Sequence, residues 1–125
     1  FFLFGKIREI DRLLQADPGL RDRIFECHPE FAFCRLNGMV ALTTRKKIRG
    51  VVNPAGLAER TGLLARHGID PDSLAAPPPR GAAMDDLVDA AVNLVMAKRY
   101  MKGLTAPFPA KPARDRYGIT IAIHG

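Results

Sequence analysis

Apolar side chains recur at Phe4, Ile7, Ile10, Leu13 and Leu14 with charged residues between them, and Asp17-Pro18-Gly19 follows. Spacings of three and four put these residues on one face of a helix, so a helix is predicted over residues 4–16, ended by the breaker. Residues 22–27 contain Ile24 and Phe25 and read as a short strand with imperfect alternation. Pro29 cannot donate to a ladder, so that strand ends near His28. Residues 29–36 read as a short helix that tolerates Pro29 in its first turn, and Asn37-Gly38 as a turn. Met39 to Thr44 is extended, and Arg45-Lys46-Lys47-Ile48-Arg49 is a basic run. A second long helix is predicted over 54–67, with Leu57, Leu63 and Leu64 on its apolar side and Gly68 as its cap. Residues 70–81 read as a Pro-rich loop.

The clearest helix covers 84–102, with Leu87, Ala90, Ala91, Leu94, Val95, Ala97 and Met101 as its apolar face. Asp85, Asp86 and Asp89 crowd its start and Lys98, Arg99 and Lys102 its end, as the helix dipole favours. A Pro-rich connector spans 105–118. Ile119, Ile121 and Ile123 then alternate with Thr120, Ala122 and His124, the period of a strand. Helices mixed with strands make this an α/β chain. No internal repeat is visible.

A chain of 125 residues is the size of one domain, and 47% hydrophobic with 26% charged residues is ordinary globular composition. Disorder of the whole chain is excluded on that ground. The 19 Lys and Arg exceed the 13 Asp and Glu, a net charge of +6. Such a surplus either attracts phosphate backbones or is spread over a solvated surface. Cys27 and Cys34 form neither a disulfide framework nor a zinc spacing, so reduced thiols and a cytoplasmic location are expected. No apolar run reaches the roughly 18–20 residues of a membrane span. Phe1-Phe2-Leu3-Phe4 lacks the features of a signal peptide. It reads as the middle of a larger protein, a truncated reading frame or a processed terminus.

Three constellations carry candidate chemistry. Glu26-Cys27-His28-Pro29-Glu30 lies at the end of the predicted strand, where α/β sheets collect ligands; the plainer reading is two solvated carboxylates. Asp85-Asp86-x-x-Asp89 puts three acids on one side of a helix. Their repulsion is offset by solvent and the dipole, or by a hard cation such as Mg²⁺ or Mn²⁺. Arg45-Lys46-Lys47-x-Arg49 is either a phosphate grip or a solvated loop. Two-metal hydrolysis needs acids from different elements to converge, and here the His-Pro-flanked glutamates and the helix-borne aspartates would have to face one pocket. Walker, Gly-x-Gly-x-x-Gly, Gly-x-Ser-x-Gly and zinc motifs are absent.

Phe25-Glu26-Cys27-His28-Pro29-Glu30-Phe31-Ala32-Phe33 resembles the Glu-x-His-Pro-Glu-x-x-Phe signature of an uncharacterised group of predicted RNase H-like nucleases, the domain of unknown function 429. Further blocks follow in the same order: Leu36-Asn37-Gly38; Lys46-Lys47; Gly56-Leu57-Ala58-Glu59-Arg60 with Leu63-Leu64; Asp85-Asp86-Leu87-Val88-Asp89-Ala90; and Asp115-Arg116-Tyr117-Gly118-Ile119. The resemblance implies an RNase H-like mixed sheet flanked by helices, in one domain over 1–125 that lacks the family's N-terminal strands. It implies Glu26, Glu30, Asp86 and Asp89 as catalytic acids, and Glu26, Asp85, Asp86 and Asp89 as ligands of Mg or Mn. His28, Lys46, Lys47 and Arg60 would face substrate, the basic groups having a structural role as the alternative.

Three departures bear on activity. The first-strand Asp is absent, the loop between Lys47 and Gly56 is longer than usual, and Ala122 stands where an acid is usual. The function expected from the acids and the resemblance is a metal-dependent nuclease, and the departures favour its rivals. The rivals are a non-catalytic nucleic-acid-binding or assembly domain and a truncated, inactive fragment. An exposed sheet edge would favour pairing with a second copy.

Overall fold

The computed structural model describes residues 3–125. Phe1 and Phe2, the first pair of the apolar start, lie outside the described residues. In chain order the elements are α1 (Leu3–Ala16), a 3₁₀ turn (Pro18–Leu20), α2 (Pro29–Leu36), β1 (Lys47–Ile48), β2 (Val51–Val52), α3 (Pro54–Arg66), α4 (Pro71–Ala75), α5 (Met84–Met101), β3 (Pro107–Arg114) and β4 (Thr120–His124).

Proline starts three of the helices: α2, α3 and α4 carry Pro29, Pro54 and Pro71 in the first turn. Its missing N–H is unneeded there and its fixed φ suits the helix. Asn53 and Asp70 sit just before two of these prolines and accept from Ala55 N at 3.3 Å and Asp72 N at 3.1 Å. Asp70-Pro71 is thus a helix start, and α4 occupies part of the stretch expected to be loop. Gly68 and Gly103 follow α3 and α5 with φ of 82° and 67°, the left-handed turn that ends a helix.

The strands depart further from expectation. The strand predicted over 22–27 is reduced to one parallel bridge, Glu26 to Ile123, with His124 N donating to Glu26 O at 2.8 Å. Its first residues are taken by a turn in which Ile24 N donates to Leu20 O. The Pro-rich connector is a strand instead. β3 pairs antiparallel with β4, and the register shifts between Phe108 and Ala113, across Pro109 and Pro112. Proline removes ladder donors, so such a strand tolerates an irregular pairing at a sheet edge. β1 and β2 form an unforeseen hairpin. Its two turn residues, Arg49 and Gly50, both have positive φ, as a two-residue hairpin turn requires.

The mixed α/β class stands. The larger sheet expected from the resemblance is represented among the described residues by two antiparallel two-stranded sheets and the single parallel bridge. No helix among the described residues is long and apolar enough to cross a membrane.

The chain divides into two compact units. One comprises the chain up to Glu26 together with Ala106–His124. In it α1 has no buried residue, and a cavity of about 630 Å³ is lined by Ile7, Ile10, Leu14, Phe25, Pro112 and Ile119 among others. The other spans Cys27–Thr105 and holds the hydrophobic core, where α2, α3 and α5 enclose Phe33, Leu64, Val88 and Val92. The buried face of α5 overlaps the predicted one at Ala91 and Val95, with Leu87 packed against the core, and departs from it elsewhere. It runs through Asp85, Val88, Ala91, Val92, Val95 and Met96, while Leu94 and Met101 are exposed. β-Branched Val88, Val92 and Val95 fill the space against two neighbouring helices, and Leu94 and Met101, which are not branched at Cβ, are left in solvent.

Phe33→Ala should therefore destabilise the chain by about 3–5 kcal/mol in urea denaturation. Ile10→Ala on α1, where Ile10 is 46% exposed, should cost less than about 1 kcal/mol.

Candidate site on helix α5

Helix α5 carries the acids, and its winding gives each a different environment. Asp86 is three residues past the N-cap and its Oδ2 accepts Ala83 N at 2.8 Å. This is the carboxylate half of a capping box and satisfies one of the donors a helix start leaves open. Asp85 shares the stripe of Val88 and Val92 and is buried, its side chain only 3% exposed. Asp89 lies one turn further on and is 25% exposed.

Two lysines meet these carboxylates. Lys46 Nζ stands 2.6 Å from Asp89 Oδ2 and 3.9 Å from Asp85 Oδ2, and Lys47 Nζ stands 2.7 Å from Asp85 Oδ2. The hydrogen bond from Lys47 holds the Asp85 carboxyl below its ordinary range against the opposing effect of burial, with both lysine charges assisting. The same bond raises Lys47 above the ordinary lysine value, and the charges of Asp85, Asp86 and Asp89 add to it. Asp85 is thus a buried carboxylate kept ionised. The second oxygen of each acid, Asp85 Oδ1 and Asp89 Oδ1, is buried and has no hydrogen-bond partner.

The lysines are delivered by residues 43–47, which α3 holds. Asn53 N donates to Lys46 O at 2.8 Å and Asn53 Nδ2 to Arg45 O at 2.9 Å. Glu59 Oε1 accepts from Thr43 N and Thr43 Oγ1, and Glu59 Oε2 from Thr44 N. These bonds, Thr44 N foremost, hold Glu59 below the usual carboxylate range. Arg60 Nη1 donates to Thr44 O at 3.0 Å and to Gly56 O at 2.8 Å.

Arg60 is buried, and its remaining nitrogens grip Glu30 on α2 as a fork: Nε to Oε1 at 3.0 Å and Nη2 to Oε2 at 2.7 Å. Its guanidinium also lies over the Phe33 ring, 5.7 Å from the centroid. Arg60 therefore serves as an internal brace between α2, α3 and the lysine segment.

A family model described as a protein of unknown function (DUF429) matches residues 1–114. The chain belongs to this family. No curated protein and no solved structure matches the DUF429 chain.

The residues singled out in the sequence fall into separate places. Asp85, Asp89, Lys46 and Lys47 are brought together. Glu30 is engaged by Arg60, and Asp86 caps its own helix. His28 is exposed at the start of α2, where its side chain makes no capping bond. Glu26 belongs to the other unit, where its carbonyl holds β4. Among the described residues no three of His, Cys, Asp or Glu gather to hold a metal ion. The donor set on α5 is instead two unpartnered oxygens. Mg²⁺ commonly binds through one or two carboxylates and takes the rest of its shell from water and phosphate; here the Oδ2 atom of each aspartate is already engaged by a lysine. The part played by Asn53 and Glu59 was not read from the sequence; the Asn53-Pro54 pair was the available signal, as an N-cap whose side chain has a second hand free.

Two expectations follow. A depressed Asp85 contributes stability that is complete above its ordinary value of 3.8 and is lost as pH falls through its lower folded value. A raised Lys47 contributes stability that is complete below 10.5 and is lost as pH rises through its higher folded value. Melting curves against pH should show a plateau between these limits, with the acid limb reduced in Asp85→Asn and the alkaline limb in Lys47→Met. Glu30→Ala, which strips the buried Arg60 of its charge partner, should cost about 2 kcal/mol in urea denaturation.

Proposed function

We propose that the chain is a cytoplasmic phosphodiester hydrolase of RNase H-like type, acting on nucleic acid, with its centre at Asp85 and Asp89 on α5 and at Lys46 and Lys47. The observation that carries this reading is the buried, ionised Asp85 set between two ammonium groups, with one oxygen of each aspartate left without a partner.

An ionised carboxylate at this depth is expensive. Removing a charge from water costs several kcal/mol, and a buried ion pair often stabilises no more than apolar residues of similar volume would. Such arrangements concentrate at functional sites. The paired Oδ1 atoms offer hard acceptor oxygens on one helix face. Mg²⁺ or Mn²⁺ bound there would activate water and stabilise the leaving oxygen. Lys46 and Lys47 supply N–H donors beside the same acids, placed to turn towards a non-bridging phosphate oxygen when substrate arrives. The net charge of +6 favours approach of a polyanion. Asp86 keeps the first turn of α5 in place, and Glu30 with Arg60 keeps the lysine segment in register.

A binding domain without turnover is the second reading. It is favoured by the lysines that already occupy Oδ2 of both acids.

The purified chain should cleave at least one of labelled RNA, DNA or RNA–DNA hybrid in Mn²⁺ or Mg²⁺, and lose about 100-fold or more of that rate in Asp85→Asn and in Asp89→Asn. Salt-sensitive binding without cleavage of any substrate would establish the second reading instead. Cleavage unchanged in both variants would remove the site from the mechanism.

A further inference from the structure

The segment that carries the two lysines has little regular structure of its own before β1 begins at Lys47. Its main chain is held by α3. Thr43 N, Thr44 N, Thr44 O, Arg45 O and Lys46 O are all bonded by Glu59, Arg60 or Asn53. At Gly56 the main chains of helix and segment nearly touch. A Cβ at that position would lie 2.2 Å from Arg45 O, 2.8 Å from Arg45 C and 3.2 Å from Lys46 Cα. These are backbone atoms and cannot swing aside as a side-chain end can. Glycine weakens a helix interior, so its presence in the first turn of α3 answers to this contact. Gly62 in the same helix makes the contrast, with nothing within 4 Å of a Cβ there.

We propose that Gly56 and Glu59 are positioning residues for the lysine–aspartate centre. Gly56 sets how closely residues 45–46 approach α3, and Glu59 fixes the turn at 43–44. Together they place Lys46 and Lys47 over Asp85 and Asp89. A side chain at 56 pushes the segment off the helix and withdraws the ammonium groups from the carboxylates. The catalytic consequence rests on the hydrolase reading, whereas the placement rests on the contacts themselves.

The matched pair Gly56→Ala and Gly62→Ala makes the same chemical change in one helix, and Glu59→Gln replaces one of the two oxygens that accept from Thr43 N and Thr44 N by a donor, without adding bulk. Lysine ammonium signals in ¹H–¹⁵N spectra at low temperature report whether Lys46 and Lys47 are held. They should be present in wild type and Gly62→Ala, lost in Gly56→Ala, and weakened or lost in Glu59→Gln. In a chain that cleaves nucleic acid, Gly56→Ala should lower kcat by about 10- to 100-fold while KM changes little, and Gly62→Ala should leave both unchanged. Ammonium signals retained at wild-type positions in Gly56→Ala, or lost equally in Gly62→Ala, overturn the proposal. Should Gly56→Ala fail to fold, Glu59→Gln decides: retained signals refute the positioning role and lost ones support it. A wild-type chain that cleaves nothing defeats the hydrolase reading and leaves the spectra to settle the placement.

Discussion

Asp85 is an ionised group on the inward stripe of a core helix, and the requirement to meet its charge organises the elements around it. A carboxylate that shares a face with Val88 and Val92 cannot be left without a countercharge. Lys47 and Lys46 supply it, which fixes where residues 46–47 must run. That path puts the preceding backbone against α3, where Asn53, Glu59 and Arg60 take up its polar groups. Arg60 is in turn buried and needs an anion, and Glu30 on α2 provides it in bidentate geometry. A single chain of charge and hydrogen-bond obligations thus runs from α5 through the lysine segment and α3 to α2. The apolar core of Phe33, Leu64, Val88 and Val92 draws the same three helices together. Burial is non-directional, so it is the polar chain that gives the helices a fixed register.

The helices were largely legible in the sequence because their signals are local. Apolar spacing and a glycine at the end are contained within a few residues; Asp70-Pro71, an equally local signal, was read as loop and starts α4. The strands were not, because their pairing depends on partners far along the chain. Residues 107–114 carry three prolines and still pair, since a strand at a sheet edge can dispense with some of its donors. Residues 22–27 contain good strand formers, yet the ladder there stops at one bridge. The hairpin turn at Arg49-Gly50 escaped notice because arginine is not among the residues that usually adopt positive φ.

The candidate site was legible as residue types and not as an arrangement. Asp85, Asp89, Lys46 and Lys47 all stood out in the sequence, but no spacing rule pairs residue 46 with residue 89. Asp85 was read as one of three acids at a helix start, favoured by the dipole or holding a hard cation, and not as an inward residue. Taking the valines as the inward stripe, rather than the commoner alanines and leucines, would have placed it inside. Glu30 was read as a catalytic acid and Arg60 as substrate-facing or structural; in the structure the buried Arg60 grips the half-exposed Glu30 as a bidentate pair. Bulk composition cannot separate these cases, because the same guanidinium serves a phosphate or an internal carboxylate with one geometry.

The two kinds of ion pair also differ in energetic logic. Arg60 has its charge met by Glu30 and its other donors met by two carbonyls, so its hydrogen-bonding capacity is well used. A buried charge satisfied this completely approaches the break-even of desolvation and attraction. The α5 cluster is less complete. Two ammonium groups converge on Asp85 Oδ2, while Oδ1 of Asp85 and of Asp89 go without a partner. A network serving stability alone would gain by closing those two acceptors, since each unmet buried group costs about 1–3 kcal/mol. The two clusters thus differ in how far their polar groups are met: Arg60 is closed by one carboxylate and two carbonyls, whereas the lysine–aspartate cluster is closed on Oδ2 alone.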